Sequence, residues 1–222
     1  MKKLLLGAWV LAAATSAVQA ADVPLIENFD ETADLAGKGW VVTNNSTPGG
    51  ATNWFQGNPG VFGSAAGAPK AYIGANFLSA PALGGAISTW LMTPTLSIFN
   101  GETLSFALRL LGQGFLDTVE VYVSTSGAST NVGASTTSTG DFSLLQTFAA
   151  DADTGWQNQS ITMVGVAPGS SGRFAFRYLV ADTTVNGNFV GIDSVRVIAE
   201  PASWALVALA LAGAGLSRRR TA

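Results

Sequence analysis

The 222-residue chain contains no histidine and no cysteine. This excludes Ser-His-Asp and Cys-His nucleophilic catalysis, His-ligated zinc or haem, and any disulfide. The side chains left for proton transfer are carboxylates. Glu27, Asp30, Glu31, Glu102, Asp117, Glu120 and Asp193 could in principle supply the two acids of a hydrolase, one protonating a leaving group while the other acts across about 5–10 Å. Most of them sit beside turns or on strand faces, where a solvated charge accounts for them. The chain therefore reads as non-enzymatic, with a carboxylate-dependent hydrolase as the remote alternative.

A second set of residues suits binding rather than catalysis. Trp54 and Phe55 lie in a loop rich in Asn53, Gln56, Asn58 and glycine, and Phe115 follows Gly112-Gln113-Gly114. Aromatic planes beside amides complement the apolar faces and hydroxyls of sugar rings, so Trp54, Phe55 and Phe115 are the candidate glycan-binding residues. Trp54 also suits a core position, as do Trp40, Trp90 and Trp156.

These residues are positioned by strands. Leu104, Phe106, Leu108 and Leu110 alternate with polar or small neighbours, as do Val119, Val121 and Val123, and Phe174, Phe176, Tyr178 and Val180. A period of two marks half-buried strands. A last strand begins near Phe189 and closes the domain with Val195, Val197 and Ile198. Asn100-Gly101, Gly112-Gln113-Gly114, Pro168-Gly169 and Asn186-Gly187-Asn188 supply turns. Residues 124–140 are almost wholly Ser, Thr, Gly and Ala, which predicts a flexible excursion. Many strands with long loops favour an all-β sandwich of two antiparallel sheets.

Both ends carry address signals. Lys2-Lys3, an apolar stretch over 4–14 and Val18-Gln19-Ala20 before Ala21 form a secretory signal peptide over 1–20, cleaved between Ala20 and Ala21. Its partners are the Sec translocon and signal peptidase. At the other end, Ala199-Glu200-Pro201 precedes an apolar stretch over 202–216 and then Arg218-Arg219-Arg220. The stretch is short for a span of roughly 20 residues but can cross a thin bilayer, and the arginines stay on the cytoplasmic side. This tail, over 199–222, resembles the PEP-CTERM sorting signal of Gram-negative envelope proteins, although the first proline is replaced by Ala199. The resemblance implies recognition by an exosortase, transient residence in the inner membrane through 202–216, and delivery to the cell envelope, surface or extracellular matrix. Between the signals, Lys38, Lys70, Arg109, Arg173, Arg177 and Arg196 oppose thirteen acidic residues over 21–199, a net charge of −7. An acidic domain without a basic stripe excludes nucleic acid as a partner.

The ordered signatures of residues 21–198 carry a further likeness. They are Ile26-Glu27-Asn28-Phe29-Asp30, Gly39-Trp40, Asn53-Trp54, Ala71-Tyr72-Ile73-Gly74, Thr89-Trp90-Leu91-Met92-Thr93-Pro94, Asp117-Thr118-Val119-Glu120-Val121-Tyr122, Arg173-Phe174-Ala175-Phe176-Arg177-Tyr178 and Gly191-Ile192-Asp193-Ser194-Val195. In this order they resemble the choice-of-anchor J domain, related to cleaved-adhesin and MAM-type modules. The resemblance implies a jelly-roll β-sandwich with a structural or adhesive role outside the cell. It also implies a structural calcium joining the first strand to the last, for which Glu27 and Asp193 are the ligands and Asp30 a weaker third. Ile87-Ser88-Thr89 and Ser194 stand where relatives carry acids, which thins that ligand set. A carbohydrate-binding module recognising extracellular polysaccharide is the alternative reading.

Overall fold

The computed structural model describes residues 24–81 and 84–199. Its strands, in chain order, are β1 (Leu25–Glu27), β2 (Val41–Asn44), β3 (Phe55–Gln56), β4 (Ile73–Asn76), β5 (Ile87–Met92), β6 (Leu96–Ile98), β7 (Glu102–Leu110), β8 (Asp117–Ser124), β9 (Ser143–Ala150), β10 (Gln157–Thr162), β11 (Ser170–Val180) and β12 (Phe189–Ala199). Two single 3-10 turns, Thr32–Asp34 and Phe77–Ser79, complete the regular structure of the described residues. No helix among the described residues is long and apolar enough to cross a membrane. The signal peptide, Ala20 and Ala21, Glu200, Pro201, the 202–216 stretch and Arg218, Arg219 and Arg220 lie outside the described residues, and Ala199 is the last residue of β12.

All strands pair antiparallel, in two sheets. The first has the order β10-β7-β12-β4-β3 with β1 also on β12; the second has the order β2-β5-β11-β8-β9 with β6 also on β11. Each is built around an eleven-residue strand, β12 or β11, flanked by one long strand on one side and two short ones on the other. The sandwich expected from the alternation is therefore present. Leu104, Phe106, Leu108 and Leu110 of the first sheet meet Val119, Val121, Phe174, Phe176 and Tyr178 of the second in one core, and the Phe106 and Phe176 rings meet edge to face at 5.0 Å. Burying each such side chain contributes about 1.5–3 kcal/mol, which is what holds a chain without disulfides.

In β12 the inward positions change phase. Val190 and Ile192 face the core, then Val195 and Val197 do, because the register shifts between Asp193 and Arg196 and Ser194 takes φ +53°. One extra residue in a bulge moves every later side chain to the other parity. Val197 is thus buried and Ile198 is 41% exposed.

The outer faces of both sheets are also covered. Residues 57–72 lie over the first, where Phe62 and Tyr72 pack with Leu111, Phe189, Phe55 and Trp156. A side chain at Gly191 would lie 2.8 Å from the Phe62 ring, so bare backbone is required there. Over the second sheet the segment expected to be a flexible excursion, 124–140, folds down as a cover. Val132 and Phe142 are buried against Trp90, Met92, Tyr122 and Ala175. Arg177, 3% exposed, donates to the Thr136 carbonyl, to Ser88 Oγ and to Glu120 Oε2, and stands over the Trp90 ring at 5.1 Å. Asn45 Nδ2 donates to the Gly133 carbonyl from the neighbouring strand end. Composition alone could not reveal this cover, because most of its partners belong to β5, β8 and β11.

Candidate functional site

One open cleft of about 440 Å³ gathers residues from four separate stretches: Phe55, Asn58 and Val61, Asn76 and Phe77, Leu111 and Gln113, and Asn188 and Phe189. Its size falls within the roughly 300–1,000 Å³ of small-molecule sites. The floor is aromatic. Phe55 and Phe189 pack edge to face at 5.7 Å, and Phe189 continues into Phe62 at 5.1 Å. A Cβ on Gly74 would come within 2.9 Å of the Phe189 ring, so the floor depends on β4 presenting bare backbone.

The turn above the floor is held from beneath by a buried acid. Asp117, at the start of β8, is fully enclosed. Its Oδ1 accepts from Tyr178 O–H at 2.7 Å and from Asn188 N–H at 2.7 Å; its Oδ2 accepts from Gly112 N–H at 3.0 Å and Phe189 N–H at 3.4 Å. Burial nevertheless pushes the Asp117 carboxyl above the usual carboxylate range, against these hydrogen bonds, and burial beside Asp117 pushes the Tyr178 hydroxyl well up. Gly112, Gln113 and Gly114 all take left-handed backbone (φ +61°, +58° and +90°). Gln113 is the costly member, a non-glycine residue in that region. Asp117 thus fixes the strained turn and the start of β12 relative to each other, which makes it a positioning residue for the cleft.

Four carboxamides line the cleft, and each is anchored at one end. Asn58 Oδ1 accepts from Gly60 N–H, and Asn76 Oδ1 accepts from Leu78 N–H and Thr52 O–H. Asn188 Nδ2 donates to the Gly112 carbonyl and to Gln113 Oε1. The free ends among the described residues are three amide N–H₂ groups, on Asn58, Asn76 and Gln113, and one carbonyl, on Asn188. Among the described residues no charged side chain lines the cleft. Val61 and Phe77 of the lining are each 38% exposed, and Phe115, Leu116 and Val185, on the chain segments that follow Gln113 and precede Asn188, are 43–58% exposed. Phe115 and Leu116 are joined to the 182–188 loop by Leu116 N–H to Asn186 Oδ1 and Gly187 N–H to the Leu116 carbonyl. Large exposed apolar side chains concentrated round one opening mark a contact surface.

The sequence-derived candidates divide. Phe55 lines the cleft and Phe115 stands on an adjoining loop. Trp54 does not take part: it is 7% exposed within the main core, because the residue before an outward-facing Phe55 must point inward. Of the residues that the sequence argument left out, Asn76, Phe77 and Asn188 complete the lining; Asn186-Gly187-Asn188 and Gly112-Gln113-Gly114 were legible as turns, and only their convergence was hidden.

The expected calcium ligands do not fit a cation. Glu27 Oε1 accepts from Phe29 N–H and its Oε2 from the Lys38 ammonium at 3.0 Å. Asp193 Oδ2 accepts from the N–H groups of Ala65 and Ala66, and Oδ1 from Ser194 O–H. Asp30 is exposed, near Gly67. The described residues contain no group of three candidate ligands. Instead Lys38 neutralises the buried Glu27, while Asp193, its carboxyl pushed up by burial, secures the 57–72 cover to β12. No carboxylate lines the cleft either, and Glu120 is committed to Arg177 and Tyr122.

No family model matches this chain, and no curated protein matches it. Solved structures do. The K1 cleaved adhesin domain of Lys-gingipain from Porphyromonas gingivalis W83 is similar over 81% of this chain and 99% of its own, at 17% identity and a TM-score of 0.57. The K3 cleaved adhesin domain of the same protein is similar over 81% and 99%, at 18% identity and a TM-score of 0.54. At these identities the likeness establishes the adhesin-type β-sandwich.

Proposed function

We propose that this chain is an exported, non-catalytic surface or matrix protein that holds extracellular polysaccharide in the cleft beneath the 112–114 turn. One observation carries the reading: four anchored carboxamides, an aromatic floor and an apolar rim converge on an opening without a charged group. That composition matches sugars, which present apolar ring faces and many hydroxyls. The shared fold of the cleaved adhesin domains is in keeping with an adhesive role. Export follows from the signal peptide over 1–20, and sorting from the exosortase-type tail over 199–222.

The test is electrophoretic retardation of the full chain by the producer's own exopolysaccharide, in a polyoxyethylene detergent. Phe55→Ala and Gln113→Ala should each weaken binding about tenfold, equivalent to about 1.4 kcal/mol, with unchanged melting temperature for Gln113→Ala. Retardation equal to wild type in both variants would remove the cleft from the function. Replacing Arg218, Arg219 and Arg220 by glutamine should leave the unprocessed protein in the membrane fraction.

A further inference from the structure

We infer that the cleft accepts uncharged polysaccharide and rejects uronic-acid chains. The inference rests on the carbohydrate reading above and narrows it to one chemical class. Three free amide donors and one free carbonyl acceptor face a ligand here, and their roles are fixed because the opposite end of each amide is tied to the protein. A hydroxyl can both donate and accept, so sugar hydroxyls satisfy all four groups. A carboxylate can only accept, and beside Asn188 Oδ1 it would meet another acceptor.

Among the described residues no cationic side chain lines the cleft to offset a carboxylate's lost hydration. Arg109, on the same outer face of the first sheet, is committed to Asp153 at 2.6 Å and to the Phe62 ring at 4.4 Å. Lys70, on the covering loop, is paired with Glu31 at 3.2 Å. The Asp117 carboxyl lies directly under the turn, and the domain as a whole carries −7 between 21 and 199. A polyanion therefore approaches a repulsive surface and finds no compensating partner in the cleft.

The experiment compares native gels containing dextran, galactan, xylan or β-glucan with gels containing alginate or polygalacturonate, at about 20 and about 500 mM salt, to separate screened from unscreened attraction. Full chain in polyoxyethylene detergent should be retarded by at least one neutral polymer at both salts, and at least tenfold more weakly by both polyuronates. Gln113→Lys, at an exposed position, should gain polyuronate retardation at the lower salt only. Equal or stronger polyuronate binding by wild type would overturn the charge selectivity and leave polysaccharide binding standing. Retardation by no polymer at all would overturn the carbohydrate reading and this one with it. Neutral binding untouched by both Gln113→Ala and Asn188→Ala would move the ligand elsewhere and equally overturn the inference.

Discussion

Replacing Asp117 by asparagine should destabilise the protein in a way that identifies what the carboxylate does. The amide oxygen can keep the Tyr178 and Asn188 bonds, which leaves the new N–H₂ facing the N–H groups of Gly112 and Phe189. The Gly112 bond to a charged acceptor is worth about 1.5–3 kcal/mol, and the longer Phe189 bond about 0.5–1.5 kcal/mol. Relief from burying a charge offsets part of this, so the net loss is about 2–3 kcal/mol. In a domain of this size that is about 4–12 °C of melting temperature, read by calorimetry near neutral pH. The pH dependence supplies a second signature. Burial raises the folded carboxyl above its unfolded value, so its favourable contribution is complete below the ordinary carboxylate range and is lost as pH climbs through the raised folded value. The stability gap between wild type and Asp117→Asn should therefore be widest in acid and narrow towards neutrality. A gap that widens with rising pH, or an unchanged melting temperature, would refute the reasoning.

Calcium and chelator should leave the melting temperature of the wild type unchanged, because Glu27 and Asp193 already spend their oxygens on Lys38 and on backbone N–H groups; a calcium-dependent rise of several degrees would contradict that assignment. Arg177→Leu should strip the 124–140 cover of its buried anchor and leave the Glu120 carboxylate without its cation, at a cost of about 3–5 kcal/mol, with new proteolytic cuts inside 124–140 as the readout. Trp54→Ala should cost about 3–5 kcal/mol as a core truncation, whereas Phe115→Ala, at 46% exposure, should stay within about 0.5 kcal/mol of wild type; thermal melts of the two variants distinguish core from rim.

The long strands were legible in the sequence because a half-buried strand announces its face every second residue, as in Leu104, Phe106, Leu108 and Leu110. The phase change in β12 was not, because Asp193-Ser194-Val195 gives no local sign that one residue is to be bulged out. Residues 124–140 misled for a related reason: polar composition argues for solvent, and the two apolar residues that anchor the cover, Val132 within it and Phe142 just after it, find their partners on strands β5, β8 and β11. The cleft was half legible. Phe55 and Asn58 stood out by type and spacing, while Asn76, Gln113 and Asn188 are unremarkable one at a time and gain meaning only where β4, the 112–114 turn and the start of β12 converge.

The placement of β1 against the end of β12 has a mechanical consequence. Leu25 pairs with Val197, so both exits of the described chain leave the sandwich side by side. Phe189, at the cleft, is ten residues from Ala199, about 30 Å along the strand. Tension between a bound polymer and an anchoring point past Ala199 would run along β12, parallel to its neighbours. The β7 ladder would then share the load in shear, many bonds at once, instead of opening rung by rung. With the proposed grip at the far tip and the proposed tether at the base, the geometry would suit carrying force.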